Sequence, residues 1–366
     1  LQDAGAPRKI NDQEKRAMRI LITGNMGYIG PSVVDRLRRS CPGATLAGFD
    51  IGYFGNCITG MGVLPECRVD VQYFGDMRRF PAEILGGVDA VVHLAGISND
   101  PIGNRFEDVT LEINNRASID LAGQAKAKGV RSFVFASSCS LYGTADDSAR
   151  TEQSALNPLT AYARSKALTE RDLEPLASER FTVTSLRFST ACGWSDRLRL
   201  DLVLNDFVAS AVASKRITIL SDGTPWRPLI NVKDMARAID WAIMRRPGQG
   251  GDYLAVNVGC DEWNYQVKEL ADAVARAIPG VDVSINKDAQ PDKRSYRVDF
   301  GLFRTLAPAH QPAVSLSESI DELKRGLESI RFRDAEFRAS RHMRLMVLTE
   351  LQETGLLDRR RQWVTT

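Results

Sequence analysis

Met18-Arg19-Ile20-Leu21-Ile22-Thr23-Gly24-Asn25-Met26-Gly27-Tyr28-Ile29-Gly30 is the stretch that decides how this chain folds. It opens as an apolar strand and runs into a glycine turn. The residues that follow read as a helix, with Val33, Val34 and Leu37 inward and Arg36, Arg38 and Arg39 outward. Pro31 suits the first helical turn, where a missing N–H costs nothing. A helix that starts directly after such a turn leaves free N–H groups and its positive dipole end facing one point, which makes an anion site. The glycines let the backbone come close to a phosphate. A plain structural turn is the rival reading of the three glycines; strand before and helix after favour a bound nucleotide.

A second strand, Thr45-Leu46-Ala47-Gly48-Phe49, ends at Asp50, some twenty residues past the turn. A carboxylate there suits the adenosine ribose of a dinucleotide and repels a 2′-phosphate, so NAD is expected over NADP. A helix or loop cap is the rival role for Asp50. Arg68-Val69-Asp70-Val71 reads as a short strand leading to Gly75-Asp76-Met77. The apolar run from Val88 to Leu94 reads as a buried strand, and the small Ala95-Gly96 after it leaves room for a cofactor. A helix through Asn114 and Leu121 leads to the strand Phe133-Val134-Phe135-Ala136, which ends at Ser137-Ser138. This alternation predicts an α/β chain with a Rossmann-type, doubly wound parallel sheet, its ligand at the carboxyl ends of the strands. Further on comes Tyr162-Ala163-Arg164-Ser165-Lys166. Tyr and Lys four apart share one helix face. An ammonium beside a phenol of ordinary pKa roughly 10 favours the phenolate, so Tyr162 can serve as acid or base near neutral pH.

At 366 residues the chain is long enough for one large α/β unit or two domains. A net charge of +2 gives no reason to expect nucleic acid or an anionic membrane as partner. No apolar run approaches the roughly 20 residues of a membrane span, and no signal peptide is expected. Residues 1–17 read as a loose polar arm. Six scattered cysteines and three unclustered histidines imply a reduced, cytoplasmic protein without a structural metal.

Set side by side, TGNMGYIG, GDMRR, HLAGISNDP, FASSCSLYG, NPLTAYARSK, LRFSTACGW and DGTPWRPLINVKDMARAI resemble the successive motifs of the extended short-chain dehydrogenase/reductases. Within these the chain is similar to the nucleotide-sugar epimerases and dehydratases over residues 18–330. The resemblance implies an NAD-binding Rossmann domain over 18–190, completed by later segments at about 225–260. A smaller C-terminal lobe, mainly 191–330, would hold a nucleotide-diphosphate sugar, ahead of a helical extension at 331–366, and homodimers are common. It further implies that Gly24, Gly27 and Gly30, with Tyr28 and Ile29, hold the pyrophosphate, Asp50 the ribose, and Asp76 with Met77 the adenine, while Leu94, Ala95 and Gly96 lie along the cofactor. Tyr162 would be the base. Lys166 would hold the nicotinamide ribose and lower the pKa of Tyr162. Ser138, four residues before Tyr142, would hydrogen-bond the reacting oxygen. Ser98, Ser138, Thr190, Asn205, Arg227 and Arg294 are the implied substrate contacts, the two arginines as a clamp on the diphosphate, for which a guanidinium fork is suited. Asn114 is expected to be structural or orienting, and Asn231 and Asp234 structural.

Three departures refine the expectation. Arg187-Phe188-Ser189-Thr190 ends in threonine where relatives often carry asparagine. Cys139 and Ser140 stand where the 4,6-dehydratases place Asp and Glu after the catalytic residue. An epimerase that inverts C4 through a 4-keto sugar is therefore expected. Cys139 as a proton donor would instead indicate a dehydratase, and as a small apolar filler would not. A ketosugar reductase would use the same cofactor and the same Ser138, Tyr162 and Lys166. An inactive NAD-binding regulator would need none of the three, so their presence speaks against it. The third departure is the extension, where Phe337, Arg341, Arg344, Leu345, Leu348 and Leu351 suggest an amphipathic helix from about 334. It is expected to be core or dimer cover; a basic residue reaching a substrate phosphate is the sharper reading.

Overall fold

The computed structural model describes residues 18–60, 62–98, 100–144, 148–286 and 295–364. Twelve strands follow in chain order: β1 (Arg19–Thr23), β2 (Thr45–Asp50), β3 (Val71–Phe74), β4 (Ala90–His93), β5 (Ser132–Ser138), β6 (Thr182–Phe188), β7 (Thr190–Cys192), β8 (Arg216–Ile219), β9 (Trp226–Asn231), β10 (Tyr253–Val258), β11 (Asn264–Gln266) and β12 (Asp282–Ile285). The longer helices are α1 (Gly30–Ser40), α2 (Ala117–Ala127), α3 (Ala161–Leu173), α4 (Val203–Ser214), α5 (Val232–Ala242), α6 (Val267–Ala277), α7 (Leu316–Ser329) and α8 (Arg344–Glu353).

Seven strands form one sheet in the order β10-β6-β5-β4-β1-β2-β3, each neighbouring pair parallel. Helices cover both faces, which is why β1 and β4 are almost wholly apolar: Ile20, Leu21, Ile22, Val91 and Val92 are all buried. Chain order reverses at β1, flanked by β2 on one side and β4 on the other. The crevice at its carboxyl end is where a doubly wound sheet binds ligand.

β3 runs Val71–Phe74 and not from Arg68 as the sequence suggested. Pro65–Arg68 is a single tight turn. Asp70 then uses its carboxylate on the Leu46 N–H (2.7 Å) and on Arg38 (2.8 Å), so it docks the strand without belonging to it. β10, from the late segment, closes the far edge of the sheet against β6. α5, from the same segment, lies against α1, joined by an Arg36–Asp240 ion pair at 2.7 Å.

The second lobe carries a three-stranded sheet, β11-β9-β7, and the parallel pair β12-β8. Asn231 caps α5 by accepting the Lys233 N–H at 2.9 Å, and Asp234 accepts the N–H groups of Ala313 and Val314. Both are structural, as expected. The extension differs from its sequence reading: Phe337 sits in a separate turn, Phe337–Ala339, and the helix begins only at Arg344. Leu348 and Leu357 are buried beside Ile97, Ile102 and Ile113, with Tyr53 and Phe54 against them, so the extension covers this chain's own cleft. Among the described residues no helix is long and apolar enough to cross a membrane, and no group of His, Cys, Asp or Glu is placed to hold a metal.

Candidate active site

A cleft of about 380 Å³ opens at the carboxyl ends of β1, β2, β4 and β5. Gly24 lies in its wall at φ +74°, and a Cβ there would stand 2.5 Å from the Ala95 nitrogen. At Gly30 a Cβ would meet the Asn25 carbonyl oxygen at 1.9 Å. Only glycine fits either place. Ile29 begins α1 without a side-chain cap, so the first-turn N–H groups are left for an anion. Gly27, Ile29, Leu94, Ala95 and Gly96 line the same wall, and together these residues fit a dinucleotide. Tyr28 lines it too, but its hydroxyl turns to the second lobe, donating to the Gly193 carbonyl (2.6 Å) and accepting from Asn205 (2.9 Å).

Asp50 lines the cleft and braces the turn, accepting from the N–H of Met26 (3.0 Å) and of Gly52 (2.8 Å). Burial raises its pKa, and those two N–H groups oppose the rise. Asp76 and Met77 also line the cleft. The Asp76 carboxylate caps the turn Met77–Arg79 and carries the Arg78 guanidinium.

At the other end, Thr160 fixes the start of α3. Its hydroxyl accepts from the Ala163 N–H (3.1 Å) and donates to Asp100 (2.6 Å). Tyr162 follows two residues on, with Lys166 one turn later. Lys166 Nζ donates to the Ala136 carbonyl at 2.7 Å, 5.8 Å from the centre of the Tyr162 ring and 4.5 Å from that of Phe135. Burial pushes Tyr162 up to about 12; a hydrogen bond with Ser138 and the charge of Arg199 pull it the other way. Burial brings Lys166 down to about 8. Desolvation outweighs the opposing pulls on Tyr162, of which the hydrogen bond with Ser138 is the first.

Asn114, in a π-type segment Glu112–Arg116, clamps this end of the cleft. It accepts from the Ile97 N–H (2.7 Å) and donates to the Ile97 carbonyl (2.9 Å) and Ser165 (3.0 Å). His93, though central, is structural: its ring meets Thr23 (2.6 Å) and Ser118 (2.7 Å), and burial brings its pKa down to about 3.

Cys139 does not face the cleft. It is fully buried with Tyr142, Tyr296, Val298 and Phe300, its thiol donates to the Arg187 carbonyl at 3.0 Å, and burial raises its pKa. The possible catalytic role is corrected to that of a filler. Ser140 lines the cleft, and its buried hydroxyl has no hydrogen-bond partner among the described residues. Arg187 is a buried pillar, paired with Glu170 at 2.7 Å; Glu170 also accepts from Ser137.

Ser98, Thr190 and Arg227 line the cleft. Asn205 does not contact it. Its side chain is consumed by the Gly193 N–H (3.0 Å), Tyr28 and the Arg199 carbonyl (2.9 Å), so its assignment to substrate is corrected to a structural one. Arg294 lies outside the described residues. Two further arginines line the wall, of which only Arg199 escaped the sequence reading. Arg199, forked on Asp201 (2.8 and 3.1 Å), donates to Ser98 at 3.0 Å. Arg344 comes from the extension. Arg199 belongs to no pattern, whereas Arg344 stands in the amphipathic pattern of the extension.

A parallel sheet with a glycine cradle at its switch point and a Ser/Tyr/Lys set beside it defines an extended short-chain dehydrogenase/reductase. More closely, the NAD dependent epimerase/dehydratase family matches over residues 20–259, and the chain belongs to that family, whose cofactor is NAD. A UDP-glucose 4-epimerase from Neisseria gonorrhoeae is 30% identical over 295 residues, 71% of this chain and 82% of that one. A dTDP-glucose 4,6-dehydratase from Streptomyces griseus is 28% identical, covering 82% and 91%. The solved complex of MoeE5 with UDP-glucose and NAD has the same fold, with a TM-score of 0.72 at 23% identity, covering 85% of this chain and 99% of that one.

Proposed function

We propose that the protein is an NAD-dependent epimerase of nucleotide-diphosphate sugars that inverts C4. The observation that carries this is the immediate neighbourhood of Ser138. The next side chain, Cys139, points into the core, and the one after, Ser140, ends in a hydroxyl. No acid stands directly after Ser138 to protonate a departing hydroxyl group, whereas inversion at C4 expels nothing.

When bound, NAD supplies a reversible acceptor for the hydrogen on C4. Tyr162 takes the proton of the C4 hydroxyl and returns it, while Ser138 hydrogen-bonds the same oxygen. A positioned acid–base group of this kind contributes about 10² to 10⁴ in rate. Lys166, held by the Ala136 carbonyl, keeps its positive charge beside Tyr162 below a pH of about 8. Thr190 and Arg227, which line the cleft, grip the diphosphate while the keto sugar turns its other face. The similarity to a UDP-glucose 4-epimerase supports this reading. A homodimer is proposed with it, to be read by light scattering.

The test is to feed the purified protein a panel of nucleotide sugars and analyse products by mass and NMR. The expected product has the mass of its substrate with C4 inverted, and Cys139→Ala retains most activity. A product lighter by one water, lost in Cys139→Ala, overturns the epimerase in favour of a dehydratase. A reduced sugar formed at the expense of added NADH would indicate a ketosugar reductase.

A further inference from the structure

We propose that Arg344, delivered by the C-terminal extension, is a ligand of the cofactor's diphosphate, closing from outside the site whose inner wall is the glycine turn. The inference rests on the family's use of NAD and is independent of which sugar carbon is inverted.

Arg344 opens α8 and lines the cleft, yet is only 2% exposed. Its guanidinium lies over the Phe54 ring, 4.4 Å from the centroid, and Nη2 donates to the Arg197 carbonyl at 2.8 Å. Nη1 has no hydrogen-bond partner among the described residues. The charge of Asp201 supports Arg344 from a distance, but its carboxylate is held by the fork of Arg199. The Cys57 thiol beside it is a weak acceptor. A buried guanidinium that keeps one N–H group unpaired, with Arg197 and Arg199 as like charges beside it, is placed to receive an anion.

The two surfaces that hold Arg344 show which anion. Phe54 follows four residues after Asp50, which grips the Met26 N–H of the glycine turn. The Arg197 loop is fastened to the same turn, since Ser195 donates to the Tyr28 carbonyl at 2.7 Å and Asn205 bridges Tyr28 to the Arg199 carbonyl. Arg344 thus belongs to the cofactor half of the cleft, while Arg227 projects from β9 in the other lobe. The rest of the extension continues toward the adenosine end. Trp363 donates to the Ile51 carbonyl at 2.7 Å, Arg78 donates to that of Arg360 at 2.7 Å, and Tyr53 to that of Arg361.

The experiment is calorimetric titration of the cofactor-stripped full chain and of Arg344→Gln with NAD, ADP, adenosine and UDP. The variant should bind NAD and ADP about ten- to a hundredfold more weakly, the range for a hydrogen bond to a charged group. Its affinities for adenosine and UDP should be unchanged, and unchanged adenosine binding shows that the site is folded. Unaltered NAD and ADP binding overturns the proposal. A fall for UDP alone moves Arg344 to the substrate diphosphate, and an equal fall for adenosine makes it structural; either also overturns it. Should Arg344→Gln not fold, Arg344→Lys decides: a charge that cannot fork predicts a several-fold loss for NAD and ADP alone, and parity with wild type overturns the assignment.

Discussion

The inner wall of the cleft comes from one run, β1 through the glycine turn into α1 and β2, joined by Leu94, Ala95 and Gly96 after β4. The outer wall is assembled from the loops after β2 and β7 and from the last residues described. The inner wall works with backbone: free N–H groups at the start of α1, and glycines at positions where a Cβ would collide with Ala95 or Asn25. The outer wall works with buried guanidiniums, each aimed by hydrogen bonds to a carbonyl, a carboxylate or a hydroxyl. A backbone-built surface is bound to a local sequence pattern. A surface built from side chains needs only that distant segments arrive in the right place.

The largest effect is expected where the two walls meet the reacting sugar. Tyr162→Phe should fold and keep NAD but lose about 10² to 10⁴ in turnover. Retention of more than a tenth of wild-type rate on the true substrate would show that Tyr162 is not the base.

The contrast between the walls is sharpened by Gly24→Ala. A Cβ at φ +74°, 2.5 Å from backbone, should cost at least about 1–2 kcal/mol of stability and weaken NAD as well. Arg344→Gln should weaken NAD with little change in melting temperature. If both variants melt alike, the division of labour between backbone and side chain fails.

A pH dependence is expected at Lys166. Its folded pKa of about 8 lies below the ordinary 10.5, so between these values the unfolded chain holds a proton that the folded one lacks. Stability contributed through Lys166 therefore rises with pH across that window. In chemical denaturation of the apoprotein, the gap between Lys166→Met and wild type should shift toward wild type as pH rises from 8 to 10.5. A flat gap would mean that Lys166 stays charged.

Much of the inner wall could be read from the sequence because strand, turn and helix each leave a mark within a few residues. Met18 to Gly30 and Thr45 to Asp50 fall where the structure puts them, and Tyr162 and Lys166 fall on one helix. Reading erred where a side chain overrides a local pattern. Val69 looked like strand, but Asp70 is spent on Leu46 and Arg38. Asn205 looked like a ligand-facing residue at a helix start, but Tyr28 and Gly193 claim it. Cys139 could not be placed because its direction depends on Arg187, far along the chain. Arg344 was visible only as one face of an amphipathic pattern, since nothing nearby in sequence says that Phe54 and Arg197 will flank it.

Tyr28 has a mechanical consequence. It sits in the middle of the cofactor turn, yet its hydroxyl is clasped by Gly193 and Asn205 of the opposite lobe. The residue acts as a hinge pin set through the grip itself. A swing of the lobe large enough to free a sugar at its diphosphate end would drag on the turn, whereas a small rocking about Tyr28 would not.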